Sequence, residues 1–180
     1  VSLSALIHQQ NMPQAMHIDI SLLESVALFI SDAIFDFQNN NKSINLNGNK
    51  SEYIAPQGAY QTAGHDCWIA IAIENDLQWN KLCQIIQNPQ LKSYKTFKDR
   101  KNNEQEIDVA IQQWVKQYDH YQATKILQAA GIPAAPVLAN WEIAAEPHLY
   151  ERNYWIHNVH QDAGYQRWDG YPWRISKNWK

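Results

Sequence analysis

The chain has 180 residues, of which 45% are hydrophobic and 18% are charged, and its formal net charge at pH 7 is −3. This composition is typical of a soluble globular protein with one substantial core, and the slightly acidic balance argues against a nucleic-acid-binding surface. Because no apolar run approaches the roughly 20 residues that span a bilayer, we do not expect a membrane protein.

The N-terminal segment predicts a short strand followed by a long helix. Apolar residues alternate in the stretch HIDIS at positions 17–21, which is typical of a strand. Ser21 and Glu24 have the spacing of a capping box, and apolar residues then recur at steps of three and four. We therefore predict a well-buried helix over residues 21–37. The asparagine-rich residues 38–52 predict a loop.

The central segment predicts a β-hairpin and then three helices. A polar turn at residues 62–66 separates two apolar stretches, the second of which is WIAIAI at residues 68–73. Apolar residues recur with helical spacing over residues 77–88, 103–119 and 120–131.

The stretch AAGIPAAPVL ends the last of these helices. Gly131 can close a helix in the left-handed backbone conformation, whereas Pro133 and Pro136 favour an extended edge strand or strap. Further on, the pair Ala163 and Gly164 lies between two aromatic-rich arms and predicts a last hairpin. The order of strands, helices and strands predicts an α+β fold.

No group of residues predicts a reaction by itself. His157 and His160 are the closest histidine pair, but residues three apart on a strand face opposite sides, so we assign no metal site. His65 and Asp66 are adjacent in a predicted turn, and Asp19 fits a strand-end or capping acid. The sequence contains no GxGxxG, P-loop, GxSxG or HExxH motif.

Cysteines and aromatic residues give coarser indications. Cys67 and Cys83 lack metal-binding or redox spacing, so we expect reduced, buried thiols in a cytoplasmic protein. Trp79 and Trp114 fall on predicted helices and are expected in the core. The C-terminal tryptophans are core or an exposed interface; they are Trp155, Trp168, Trp173 and Trp179.

Taken in order, several stretches resemble the middle-to-C-terminal portion of the family III CoA-transferases. This is the CaiB/BaiF group, which includes formyl-CoA transferase, carnitine CoA-transferase and α-methylacyl-CoA racemase. The stretches are HIDISLLESVALFISDAIFDF, APQGAYQTAGHDCWIAIAI, NDLQWNKLCQII, AAGIPAAPVLANWEIAAEPHLYERNYW and GYPWRIS. The most specific part is AGIPAAPV followed by EPHLYERNYW.

The resemblance implies a domain organisation. Residues 1–45 would be a strand and a long helix from a Rossmann-like large domain, residues 46–150 a small α+β domain of hairpins and about three helices, and residues 151–180 a final hairpin returning toward the large domain. The chain begins at Val1 without methionine or a signal-like segment, so we expect a piece of a longer protein. Members of the family form interlocked homodimers.

The resemblance also implies the chemistry. Family transferases use an aspartate nucleophile that attacks an acyl-CoA thioester, with acyl-CoA and a carboxylic acid as substrates and no permanently bound cofactor. The nucleophile's motif lies upstream of the matching region, so no catalytic residue is assigned, Asp19 is not promoted to that role, and this chain alone is expected to be inactive. Gln57, Gly58 and Tyr60, in the loop NGNKSEYIAPQGAY, are expected to line the substrate pocket.

Two alternatives remain open at this point. One is a racemase, which would move the α-proton of an acyl-CoA with general acid and base residues. The other is a non-catalytic, aromatic-rich interaction module, for which an exposed cluster of C-terminal tryptophans would be the expected feature. Neither nucleic acid nor membrane is expected as a partner.

Overall fold

The structure is a computed structural model that describes residues 2–11, 15–43 and 46–174. The chain divides into two units, Val1–Leu46 and Asn47–Lys180. In the described part of the chain, no helix is both long enough and apolar enough to cross a membrane.

The first unit consists of short helices. They are α1 (Ser2–Asn11), α2 (Leu22–Ala27), a 3₁₀ turn (Leu28–Ile30) and α3 (Ser31–Asn40). The Ser21 hydroxyl accepts a hydrogen bond from the Glu24 N–H at 3.2 Å, so the predicted start of the long helix is confirmed. Asn41 ends α3 in the left-handed conformation with φ 52°, which places the helix end inside the predicted loop.

Two predictions for this unit are wrong. Residues 15–21 form no strand, because no described strand of this unit pairs with them and an unpaired strand gains no ladder hydrogen bonds. The long helix is not buried either, since Leu22 and Phe29 expose 81% and 87% of their surface. A unit of this size cannot cover an apolar stripe with its own residues.

The second unit is built on a three-stranded antiparallel sheet. The strands are β1 (Gln57–Gln61), β2 (Trp68–Ala72) and β3 (Ala134–Val137), in the order β1-β2-β3. The predicted hairpin is confirmed, and the proline-containing β3 is the predicted edge strand. Gly58 pairs with Ile71, and Ile71 pairs in turn with Ala134.

Helices cover one face of this sheet, so the predicted α+β class is confirmed. The helices of this unit are α4 (Asp76–Ile86), a 3₁₀ turn (Pro89–Ser93), α5 (Phe97–Asn102), α6 (Glu104–Val115), α7 (His120–Ala129), α8 (Asn140–Ala145) and α9 (Pro147–Glu151). Of these, α6 packs on β1, and α7 packs on β2 and β3. The alternation of β2 buries Ile69 and Ile71 against these helices. Their main partners in the core are Trp79, Leu82, Ile107, Ile111 and Leu127.

The sequence reading did not identify α5. This helix has a single large apolar residue, Phe97, so no hydrophobic periodicity marks it. Its signal is the capping box formed by Thr96 and Asp99, in which each side chain accepts a hydrogen bond from the backbone N–H of the other.

Two predictions at glycine residues, a helix end and a hairpin turn, are confirmed. Gly131 has φ +74°, and its N–H donates to the Gln128 carbonyl at 2.8 Å, which closes α7. The last hairpin pairs β4 (Trp155–His160) with β5 (Gly164–Asp169), and Gly164 at its turn has φ +71°.

Trp79 and Trp114 lie in the core as predicted. In contrast, Trp168 and Trp173 are exposed and Trp155 is half-buried, whereas Trp179 lies outside the described residues. Both cysteines are free thiols. Only Cys83 is buried, which raises its pKa to about 11, and Cys67 is half-buried.

Candidate functional site

An open cleft of about 590 Å³ lies in the second unit, between the segment 47–50, β1 and α6. Gln57, Gly58 and Tyr60, the three residues expected to line a substrate pocket, all border this one cleft. They do so because β1 is the outer strand of its sheet and leaves one side open to the cleft. The size is in the range of small-molecule sites.

Tyr60 forms the buried wall of the cleft. Only 4% of its surface is exposed, and its hydroxyl donates to Asp108 Oδ1 at 2.8 Å. Burial and the negative charge of Asp108 raise the pKa of Tyr60 far above its usual value. The phenol therefore stays neutral and acts as a hydrogen-bond donor that joins β1 to α6.

Gly58 lies directly against the ring of Tyr60. A Cβ atom at this position would come within 3.0 Å of both Cζ and Oη of Tyr60. A larger residue would have to displace the ring or the strand. Because glycine has no Cβ, the Tyr60 ring can lie directly over the backbone of residue 58 at the edge of the cleft.

A row of alternating charges begins beside Tyr60, where Lys50 and Asp108 border the cleft, and continues beyond the cleft. Lys50 forms an ion pair with Asp108 and lies 3.8 Å from Glu104 Oε2. Lys101 Nζ is 3.0 Å from the same Glu104 oxygen and donates to the Ser51 carbonyl at 2.7 Å. These contacts tie the segment that enters the cleft to α5 and α6, and they neutralise the charge of Lys50.

A buried arginine holds the chain just before β1. Arg100 is 2% exposed, and its Nε donates to the Ala55 carbonyl at 3.1 Å. Its guanidinium also forms a 2.8 Å ion pair with Asp76 and lies 5.6 Å from the ring centroid of Trp79. The sequence reading missed this residue, because Arg100 is one of several cations in the polar run LKSYKTFKDRKNN and no spacing distinguishes it.

A second buried polar pair lies apart from the cleft. His120 Nε2 and Glu142 Oε1 are 2.8 Å apart, and Glu142 Oε2 accepts the Ala139 N–H at 2.8 Å. The bond from the Ala139 N–H, together with His120, holds the pKa of Glu142 below its usual value. The pair joins the start of α7 to the start of α8, and the sequence reading missed it because the two residues are distant in the chain.

The other residues considered from the sequence lie elsewhere. Asp19 is exposed in the first unit, and His65 is exposed in the turn between β1 and β2. His157 and His160 are exposed on β4, where the Tyr165 hydroxyl contacts His157 Nδ1. Among the described residues, no group of three or more His, Cys, Asp or Glu side chains is placed to hold a metal ion.

Comparison with known proteins assigns the family. CoA-transferase family III matches residues 2–179, and the chain therefore belongs to that family. A probable CoA-transferase of Mycobacterium tuberculosis, Rv1866, is 28% identical over 89% of this chain and 20% of its own length. The succinyl-CoA:mesaconate CoA-transferase of Haloarcula marismortui is 24% identical over 83% and 37%. The acetyl-CoA:oxalate CoA-transferase of Acetobacter aceti is 26% identical over 83% and 39%.

Solved structures share the fold. A CaiB/BaiF family protein from Brucella suis superposes with a TM-score of 0.79 at 22% identity, over 97% of this chain and 45% of that protein. Rv3272 from Mycobacterium tuberculosis gives a TM-score of 0.70 at 18% identity, over 97% and 46%. The chain thus spans less than half the length of each relative described here.

Proposed function

We propose that this chain is part of an acyl-CoA:carboxylate CoA-transferase. In the proposed reaction the CoA thiol leaves the donor acyl group and forms a thioester with an acceptor acid, while the donor is released as a free carboxylate. One thioester is exchanged for another, without net hydrolysis or redox change. Family membership over residues 2–179 supports this reaction, and so do the names of the three relatives from Mycobacterium tuberculosis (Rv1866), Haloarcula marismortui and Acetobacter aceti, which are named as a probable CoA-transferase and two CoA-transferases, and none as a racemase.

We propose that the nucleophile lies outside these 180 residues, in a longer protein. It would be an aspartate whose carboxylate attacks the thioester carbonyl and displaces the CoA thiolate, giving a mixed anhydride; the thiolate then attacks the aspartyl carbonyl and releases the donor acid. The acceptor acid reverses these steps. The part of each relative that this chain does not cover leaves room for such a residue.

The proposed domain assignment follows the same reasoning. Residues 1–45 would belong to a Rossmann-like large domain, residues 46–150 would form the small domain, and residues 151–180 would return toward the large domain. The division of the chain between residues 46 and 47 supports the first boundary. Exposed apolar side chains on α2 and on the last hairpin, including Leu22 and Trp168, support contact with further parts of the protein.

Three further properties are proposed for the intact enzyme. It would be a cytoplasmic, interlocked homodimer, it would need no permanently bound cofactor, and it would bind neither nucleic acid nor membrane. Cys67 and Cys83, both free thiols, support a reducing compartment.

At least one of the two acids is proposed to be dicarboxylic. One of the two relatives' names contains acetyl-CoA, the thioester of a monocarboxylic acid, whereas succinate, mesaconate and oxalate in the same two names each carry two carboxylates. Transfer consumes only one of them, so the other must be accommodated by the protein.

At the level of the site, the proposal rests on one observation. Gln57, Gly58 and Tyr60 border the same cleft. We propose that this cleft receives the acyl group. The Gln57 side chain hydrogen-bonds to no other described residue, so its amide is available to a ligand.

Replacing Gln57 tests this role. In the full-length protein that contains this chain, Gln57→Ala is expected to lower kcat/KM for the acyl-CoA donor roughly tenfold, the effect of one lost hydrogen bond. The matched control is Gln105→Ala, because Gln105 lies on α6 outside the cleft and is exposed. Equal kinetics for the two variants would exclude Gln57 from the substrate site.

A further inference from the structure

The charges that border the cleft do not cancel. Lys50 is paired with Asp108 and is also close to Glu104, so it contributes no net charge. Lys116, in contrast, is exposed at the end of α6 and forms no ion pair or hydrogen bond through its side chain with any described residue. Lys116 therefore gives the cleft an uncompensated positive charge.

One further hydrogen-bond donor, the Gln113 amide, lies on the same face of α6 as this lysine. Val109, Gln113 and Lys116 recur at steps of four and three, so they share one side of α6, and all three border the cleft. The Gln113 side chain is exposed and bonds to no other described residue. An ammonium group with a neighbouring amide is a suitable environment for a carboxylate.

Gln57 on β1, which is proposed above to contact the acyl group, borders the same cleft as Lys116. With the reacting carbonyl at Gln57, the far end of an acyl chain would lie elsewhere along the cleft. Lys116 on α6 supplies the free positive charge that this far end could contact. A methyl group gains nothing from that charge, whereas a carboxylate gains a charge-assisted hydrogen bond.

We infer that Lys116 is a specificity-determining residue that binds the second, non-reacting carboxylate of a dicarboxylic acyl group. The inference rests on the proposed CoA-transferase function. It assigns recognition of the distal carboxylate to the Lys116 ammonium, with Gln113 as the neighbouring donor, and leaves the reacting carbonyl to other groups.

The test compares two donors of equal chain length, succinyl-CoA and butyryl-CoA, with the full-length protein. The specificity ratio is kcat/KM for succinyl-CoA divided by kcat/KM for butyryl-CoA. Lys116→Gln is expected to lower this ratio roughly tenfold, and Lys116→Arg is expected to recover most of it, because arginine keeps the charge. The matched control is Lys125→Gln, since Lys125 is exposed on α7 and does not border the cleft.

The outcomes separate the two claims. A wild-type ratio near one, or a ratio that Lys116→Gln leaves at the Lys125→Gln value, overturns the role of Lys116 while CoA transfer stands. If neither succinyl-CoA nor butyryl-CoA supports CoA transfer, the proposed function is overturned, and the inference is overturned with it. Thermal unfolding of the variants verifies that the fold is intact, which is expected because Lys116 is exposed.

Discussion

At the scale of single residues, Arg100 anchors the chain that leads into β1. Its guanidinium is buried, and removing a charge from water is costly unless hydrogen bonds replace the water. Here the carbonyls of Ala55 and Lys95 and the carboxylate of Asp76 replace it. The Ala55 carbonyl belongs to the segment that enters β1, so Arg100 fixes the approach to Gln57.

Replacement of this arginine is expected to destabilise the protein. Arg100→Met leaves the Ala55 and Lys95 carbonyls without their donor, so the free energy of unfolding should fall by about 2–3 kcal/mol. The measurement is urea unfolding. Asp76→Asn serves as the comparison, because Asp76 is largely exposed and its loss should cost about 1 kcal/mol or less. A similar loss for both variants would show that the buried hydrogen bonds are not the source.

The residues of the site differ in how far the sequence reveals them. Gln57, Gly58 and Tyr60 follow one another on a strand, and the resemblance singles out their loop; the structure brings all three to one cleft. Asp108 and Lys116 are invisible to the same reading, because they come from a helix about 50 residues away in the chain whose polar face looks like any solvated face.

At the scale of elements, local signals identify the parts that depend on local chemistry. Gly131 closes α7 and the two prolines hold β3 at the edge, as their backbone restrictions require. The position of the helical segment α2 to α3 was predicted correctly, but its burial was not, because burial depends on what packs against the helix. The strand predicted at HIDIS does not form, because a strand is stabilised only when it pairs with another strand.

The link between α7 and α8 is expected to depend on pH. The pKa of Glu142 is lower in the folded chain than its ordinary value of 4.5. The carboxylate therefore stabilises the fold above that value, and this stabilisation is lost as the pH falls through the lowered pKa. Glu142→Gln should lower the urea midpoint at pH 7, and the difference from the wild type should be smaller when the midpoint is measured again at a pH well below 4.5.

The comparison for this prediction is Glu146→Gln on the same segment, which should change the midpoint little at either pH because Glu146 is not part of the buried pair. A Glu142→Gln difference that is constant between the two pH values would show that the carboxylate charge does not contribute.

At the scale of the whole molecule, the described part of the chain has one buried core and a large exposed apolar surface. Residues 47–174 contain a buried core around one sheet, although Trp168 and Trp173 in the same unit are exposed, whereas the described residues of the first unit include no buried core side chain. Family membership was predictable from several short stretches taken in order, of which AGIPAAPV followed by EPHLYERNYW is the most specific. The extent of the exposed apolar surface was not predictable, since hydrophobic periodicity identifies an apolar helix face but not what packs against it.

The central claim is that the chain contributes a substrate cleft to a CoA-transferase whose nucleophile lies elsewhere. The most direct measurement is transfer of CoA from succinyl-CoA to a second, isotopically labelled dicarboxylic acid, followed by detection of the labelled thioester. The full-length protein is expected to form it, and the 180-residue chain alone is expected to form none. Turnover by the isolated chain, or no labelled thioester from the folded full-length protein, would contradict the claim.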